Sequence, residues 1–124
     1  MEKELENKLF EKYPKLFRQK DLSMQETCIC FGLECGNGWY WLIDNLCGSI
    51  QNYIDMNRKQ QVEVIQLKEK FGQLRYYVIG ADELVQGMVW LAESMSETIC
   101  EFCGSTVDVT QTTGWIKTLC KKCV

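Results

Sequence analysis

KEKFGQLRYYV, residues 68–78, decides how the middle of this chain folds. With the preceding VEVIQL it reads as two strands, Val62, Val64, Ile65 and Leu67 on one and Leu74, Tyr76 and Val78 on the other. Gly72 supplies the positive φ of the turn between them, expected as a three- or four-residue hairpin loop. Two-residue alternation sorts the side chains. Leu74, Tyr76 and Val78 share one face of the second strand, and Gln73, Arg75 and Tyr77 share the other. On the first strand Lys68 and Lys70 oppose Leu67 and Glu69. Three cations and two tyrosines thus gather in one short segment of a chain whose formal net charge is -3. Arg75 either pairs with Glu63 or Glu69 across the hairpin or offers its fork to an external carboxylate or phosphate.

Helical periodicity flanks the hairpin. Residues 2–12 carry Leu5 and Leu9 ahead of Tyr13, and Pro14 ends that helix. From about Trp39 to Lys59, Ile43, Cys47, Ile50 and Ile54 recur at helical spacing, with Asn37 as the expected N-cap. Asp82 caps a further helix over roughly 83–98, whose expected apolar stripe is Leu84, Met88, Leu91, Met95 and Ile99. A hairpin alone is marginal. It must pack on the helices, or extend a sheet with the C-terminal strands or a second copy. The fold class is therefore α+β, with helices packed on a β-hairpin or small antiparallel sheet in residues 1–99 and a C-terminal segment, 100–124, packed on that body.

That segment reads CEFCGSTVDVTQTTGWIKTLCKKC. Cys100 and Cys103 form one CxxC and Cys120 and Cys123 another, the spacing of a zinc ribbon. Two such turns present four thiolates to one Zn²⁺ per chain, with no open coordination position, so the metal is structural. The site carries a formal -2, which Lys117, Lys121 and Lys122 are placed to offset. Cys28, Cys30, Cys35 and Cys47 are a looser set. They read either as a second metal site or, better, as ordinary reduced thiols, since Cys47 falls on an apolar helix face.

Composition narrows the function. Histidine is absent, which removes Ser-His-Asp and Cys-His catalysis. Glu34, Asp44 and Glu69 are candidate Mg²⁺ ligands for a small nuclease or phosphodiesterase, but no paired-carboxylate motif supports that. No run is long and apolar enough to span a bilayer, and the charged N-terminus lacks a signal core, so the chain reads as cytosolic. The consecutive aromatics Trp39, Tyr40 and Trp41 cannot all face one core, because a helix turns about 100° per residue. Gly36 and Gly38 precede the helix start, where free amides suit an anion, or serve only as a turn.

FGLECGNGWYWLID, QLKEKFGQLRYYV, ICEFCG and GWIKTLCKKC together resemble a family of small phage and prophage proteins. The family shares FG-x-ECG-x-GW, KEKFG-x-LR-x-Y, C-x-x-CG and a closing GW-x-x-TLC in this order, and the likeness covers roughly residues 13–124. Some members end in a Cys-x-x-His knuckle, where this chain has Cys123. The resemblance implies a phage accessory protein acting in the cytoplasm of an infected bacterium. Such proteins disarm host defences, for example by sequestering a nucleotide signal without cleaving it. The expected ligand is then an anionic nucleotide, such as a cyclic oligonucleotide immune signal, held by Trp39, Tyr40, Trp41, Lys68, Lys70, Arg75 and Tyr77. A homo-oligomer with the cavity between subunits is one form of such a binder. The alternative is a zinc-ribbon interaction module that binds a host defence protein or nucleic acid.

Overall fold

A computed structural model describes residues 1–22 and 29–124. Helix α1 (Lys3–Lys12) is followed by 3₁₀ turns at Arg18–Asp21, Ile29–Phe31 and Asn37–Trp39. Helix α2 (Tyr40–Asn57), strands β1 (Glu63–Lys70) and β2 (Gln73–Ile79), and helix α3 (Glu83–Ser96) complete the body. Strands β3 (Val109–Gln111) and β4 (Thr118–Cys120) form the C-terminal hairpin. The fold is α+β with two separate antiparallel pairs, β1–β2 and β3–β4.

The core lies between α2, the inner face of β1–β2 and α3. Trp39, Ile43, Ile50, Leu67 and Leu74 are fully enclosed, joined by Leu9, Leu16 and Phe17 from the N-terminal segment. Each such side chain contributes about 1.5–3 kcal/mol by leaving water. The expected stripe Ile43, Cys47, Ile50 and Ile54 is buried on α2. Asn37 does not cap this helix. Its Oδ1 accepts from the amide of Glu2 and so ties α1 to the α2 start. Glu6, buried on α1, does the same for the next loop by accepting from Leu33 N at 2.8 Å.

The β1–β2 hairpin departs from expectation in its loop. Lys70 pairs with Gln73, leaving only Phe71 and Gly72 in the turn. Both have positive φ, 54° and 77°, the pattern of a two-residue type I′ turn that matches the strand twist. A bulge between Val64 and Gln66 sets Ile65 aside and keeps Val64 and Leu67 on the core face. Neither long edge of the hairpin is bare. Beside β1, the amide of Val64 donates to Leu16 O, that of Glu34 to Leu67 O, and that of Glu69 to Glu34 O. Beside β2, Ser96 Oγ accepts from Leu74 N at 2.9 Å and Glu93 Oε2 from Tyr76 N at 3.0 Å. The hairpin therefore does not join the C-terminal strands in one sheet; helix and loop cover these stretches of its edges.

That edge contact rotates α3. Asp82 caps it as expected, accepting from Val85 N. The buried line, however, is Val85, Val89, Ala92 and Ser96, while Leu84 and Leu91 of the expected stripe are exposed. The helix turns Ser96 and Glu93 to the β2 amides and small side chains to the sheet. Leu84, Trp90 and Leu91 stay outside, while Met88 and Met95 pack partly against the core.

Candidate metal centre and anion-binding face

The C-terminal segment brings four thiols together. Cys100, Cys103, Cys120 and Cys123 place their sulfurs within 4.8 Å of one another, the only such group of three or more His, Cys, Asp or Glu side chains among the described residues. Cys103 Sγ and Cys120 Sγ are 3.7 Å apart. Two thiolates bound at about 2.3 Å to one tetrahedral ion stand about 3.8 Å apart, close to the spacing of this pair. Gly104 follows the first CxxC with φ 82°, closing a turn in which its amide donates to Cys100 O. Burial pushes the Cys100 thiol up, but the amides of Cys103, Cys120 and Phe102 outweigh it and bring it down to about 6. Cys123 moves the other way, to about 12, through burial and the neighbouring sulfurs. The cluster is thus poised to hold one thiolate readily and to release further protons when a cation binds. Its four candidate ligands all come from the protein.

The knuckle is tied to the body by several hydrogen bonds. Trp39 Nε1 donates to Ile99 O at 2.9 Å. Gly38 N donates to Glu101 O at 2.7 Å, and the buried Glu101 carboxylate accepts from Gly36 N at 2.9 Å. A Cβ on Gly36 or Gly38 would overlap the carbonyls of Glu101 or Cys100. These glycines are therefore needed for close backbone approach, and the anion at the start of α2 is the protein's own. Thr118 Oγ1 donates to Gly72 O at 2.5 Å, fastening β4 to the β1–β2 turn. Lys117 reaches Glu69 at 3.1 Å and Glu101 at 3.5 Å rather than the sulfur cluster. Lys121 and Lys122 line a hollow with Cys103 and Cys120 and remain placed to offset its charge.

The three described members of the looser cysteine set, Cys30, Cys35 and Cys47, do not assemble. Cys35 is buried and its thiol pushed up to about 12 by burial. Cys47 is enclosed beside Tyr76 OH at 3.1 Å, and burial likewise pushes it up to about 12. Cys30, Cys35 and Cys47 form no common cluster; Cys28 lies outside the described residues. The candidate Mg²⁺ ligands Glu34, Asp44 and Glu69 do not form a three-carboxylate cluster, although the amide of Glu69 donates to Glu34 O. Asp44 binds Lys12 and Tyr13, and Glu69 binds Lys117 and the amide of Gly72.

The proposed ligand residues divide into two groups. Trp39 is 0% exposed and belongs to the core, so its ring faces are closed to a ligand. Tyr40 is half-buried against the core, and Trp41 faces a groove between α2 and α3. The hairpin residues do come together. Register places Gln66 opposite Tyr77, Lys68 opposite Arg75 and Lys70 opposite Gln73, all on the outer face. Glu63 is taken by Arg18, at 2.8 and 3.0 Å, and Glu69 by Lys117. Among the described residues Lys68, Lys70 and Arg75 form no ion pair, although Glu34 lies beside Lys68 in register. Arg75 Nε is shielded from solvent without any acceptor. Like charges facing each other across a ladder are destabilising, so Lys68 and Arg75 form an uncompensated basic pair.

Two further residues escaped the sequence reading. Phe71 and Trp115, at the tips of the two hairpins, are 66% and 82% exposed and line one hollow of about 330 Å³ with Lys70 and Ile116. Lys70 Nζ lies 5.6 Å from the Phe71 ring centre. A bulky aromatic at the first position of a type I′ turn, where Asn or Gly is favoured, was the available sign for Phe71.

Fold and site together define an α+β protein with a four-thiol centre and a basic hairpin face. No family model, curated protein or solved structure matches the chain.

Proposed function

We propose that this chain is a non-enzymatic binding protein that captures an anionic nucleotide on the outer face of β1–β2. One observation carries the reading: Lys68, Lys70 and Arg75 share that face without an ion-pair partner among the described residues, while both strand carboxylates they could have used are engaged elsewhere. Phosphates would bind these cations. A base would stack in the adjoining hollow between Phe71 and Trp115, with Lys70 serving both parts. In this reading the four thiols hold one structural Zn²⁺, which soft sulfur ligands suit, and the metal fixes Trp115 and Ile116 beside the β1–β2 turn.

The resemblance to small phage proteins supplies the setting. A protein that binds a nucleotide without a general base suits sequestration of a cyclic oligonucleotide defence signal in an infected bacterium. Thermal-shift and binding measurements against a panel of cyclic and linear oligonucleotides test this. The expected result is a shift with at least one ligand, which is recovered intact after heat release. No shift and no retention across the panel overturns it.

The interaction-module reading draws on the exposed Phe102, Val107 and Trp115 of the C-terminal segment. It predicts instead salt-sensitive binding to a nucleic-acid strand, with a slope set by the phosphates contacted.

A further inference from the structure

The outer face of β1–β2 carries its chemistry in a fixed order. At the tip, the hollow between Phe71 and Trp115 opens beside Lys70. The first rung of the face is Lys70 opposite Gln73, the second Lys68 opposite Arg75 and the third Gln66 opposite Tyr77. Aromatic surface therefore stands at both ends, with the cations between. Tyr77 is 42% exposed. Among the described residues its hydroxyl has no hydrogen-bond partner and its ring no aromatic partner. Beyond Tyr77 the cations do not continue. The next residue of β2 on this face is Ile79, opposite Glu63, whose carboxylate Arg18 already holds.

This order sets the length of a ligand. Residues two apart on a strand are separated by about 7 Å, so the two cationic rungs lie that far apart. An extended sugar–phosphate backbone repeats on a similar scale, and successive phosphates can meet successive rungs. From the Lys70 rung to the Tyr77 rung is four residues, about 13–14 Å, which is beyond the reach of one nucleotide whose base lies in the tip hollow. Building on the nucleotide-binding reading, we propose that the ligand is an oligonucleotide of at least three residues laid along the hairpin. One base stacks between Phe71 and Trp115, the first phosphate meets Lys70, the second meets Lys68 and Arg75, and the base beyond stacks on Tyr77. The shielded Arg75 Nε, without an acceptor among the described residues, then receives a phosphate oxygen. The requirement is two consecutive phosphates between two stacked bases. A chain of three residues is the shortest that meets it, and ring closure does not remove it.

The probes are adenosine monophosphate and linear oligoadenylates of two, three and four residues without terminal phosphates, titrated into the intact protein by calorimetry. Affinity should rise about tenfold from the dinucleotide to the trinucleotide, the gain of one stacked base, and by less than about threefold on adding a fourth residue. The trinucleotide should lose affinity with salt at a logarithmic slope of about -1.4, the value for two phosphates of a single strand. Tyr77→Thr and Tyr77→Val should each bring the trinucleotide down to the affinity of the dinucleotide, which itself should not change; Tyr77→Phe should retain the gain. Threonine and valine suit a strand, so the thermal transitions should stay close to that of the parent, and if one variant does not fold the other carries the test. Insensitivity of trinucleotide binding to the Tyr77 variants overturns the proposal, as does an affinity that climbs as steeply again at four residues. Adenosine monophosphate bound as tightly as the trinucleotide, and weakened by Arg75→Ala and Phe71→Asn, overturns the length requirement and leaves the nucleotide-binding reading standing. Absence of binding by all four probes also overturns the proposal, and silence of the wider cyclic and linear panel then takes the nucleotide-binding reading with it.

Discussion

Gly36 N donates to the carboxylate of Glu101 at 2.9 Å, so the helix start that looks most suited to a foreign anion already holds one from the first knuckle. The relation makes the metal segment and the body interdependent. Gly38→Ala should destabilise the whole protein, because the new methyl group would overlap Cys100 O and the rigid knuckle backbone must move. Overpacking of this kind costs about 1–3 kcal/mol. Urea unfolding of the purified variant measures it, and limited proteolysis should show earlier cleavage within residues 100–124.

Metal removal should have a larger effect of the same kind. With four thiols as ligands, metal analysis of purified protein is expected to give about one zinc per chain. A strong chelator should expose residues 100–124 to protease and release Trp39, whose indole is anchored to Ile99 O. Cys100→Ser and Cys120→Ser should reproduce this in untreated protein. Native protein without metal, with its thiols fully titratable, would contradict the assignment.

Acid should weaken the link between the N-terminal segment and β1. Hydrogen bonds from Arg18 and then Gln19 hold the Glu63 carboxyl below its ordinary range. A carboxyl with a depressed folded value stabilises the fold above its unfolded pKa and loses that contribution as pH falls through the folded value. The wild type should therefore lose more thermal stability than Arg18→Ala on going from neutrality to below about pH 4, the ordinary carboxylate range. The two melting curves should converge at the acid end.

Much of this arrangement was legible in the sequence, and the failures have physical causes. The CxxC pairs identified their own cluster, because chelation demands fixed spacing. Alternation sorted Lys68, Lys70, Arg75 and Tyr77 correctly, because the strand period is two whatever lies beside the strand. The buried face of α3 was misread by one residue. Apolar periodicity does not register that Ser96 and Glu93 must meet the β2 amides, so of the stripe it selected, Ile99 is buried, Met88 and Met95 are only partly so, and Leu84 and Leu91 are exposed. Trp39 was misplaced for a related reason: its polar atom finds Ile99 O, a partner sixty residues away that no local pattern discloses.

Arg75 separates scaffold from site. Among the described residues it makes no ion pair and its Nε lacks an acceptor, so Arg75→Ala should change stability by no more than about 1 kcal/mol, the scale of a single net hydrogen bond. Loss of a charge-assisted contact to phosphate, worth about 1.5–3 kcal/mol, should weaken nucleotide binding about tenfold to a hundredfold. Parallel urea unfolding and ligand titration read both effects. A large stability loss with unaltered binding would return the residue to the scaffold.

Phe71 offers the converse experiment. Its φ of 54° places a bulky side chain in the left-handed region, at a cost of roughly 1–2 kcal/mol for an ordinary L-residue. Asn tolerates that conformation and is favoured at this turn position. If Phe71 served only the hairpin, Phe71→Asn would be an improvement in every respect. In the proposed function the ring stacks on a base beside Trp115, and base–aromatic stacking is worth about 1–3 kcal/mol. The variant should therefore melt at an equal or higher temperature, yet bind the nucleotide at least several-fold more weakly. A gain in stability with undiminished affinity would remove Phe71 from the site and confine the ligand to the cations of β1 and β2.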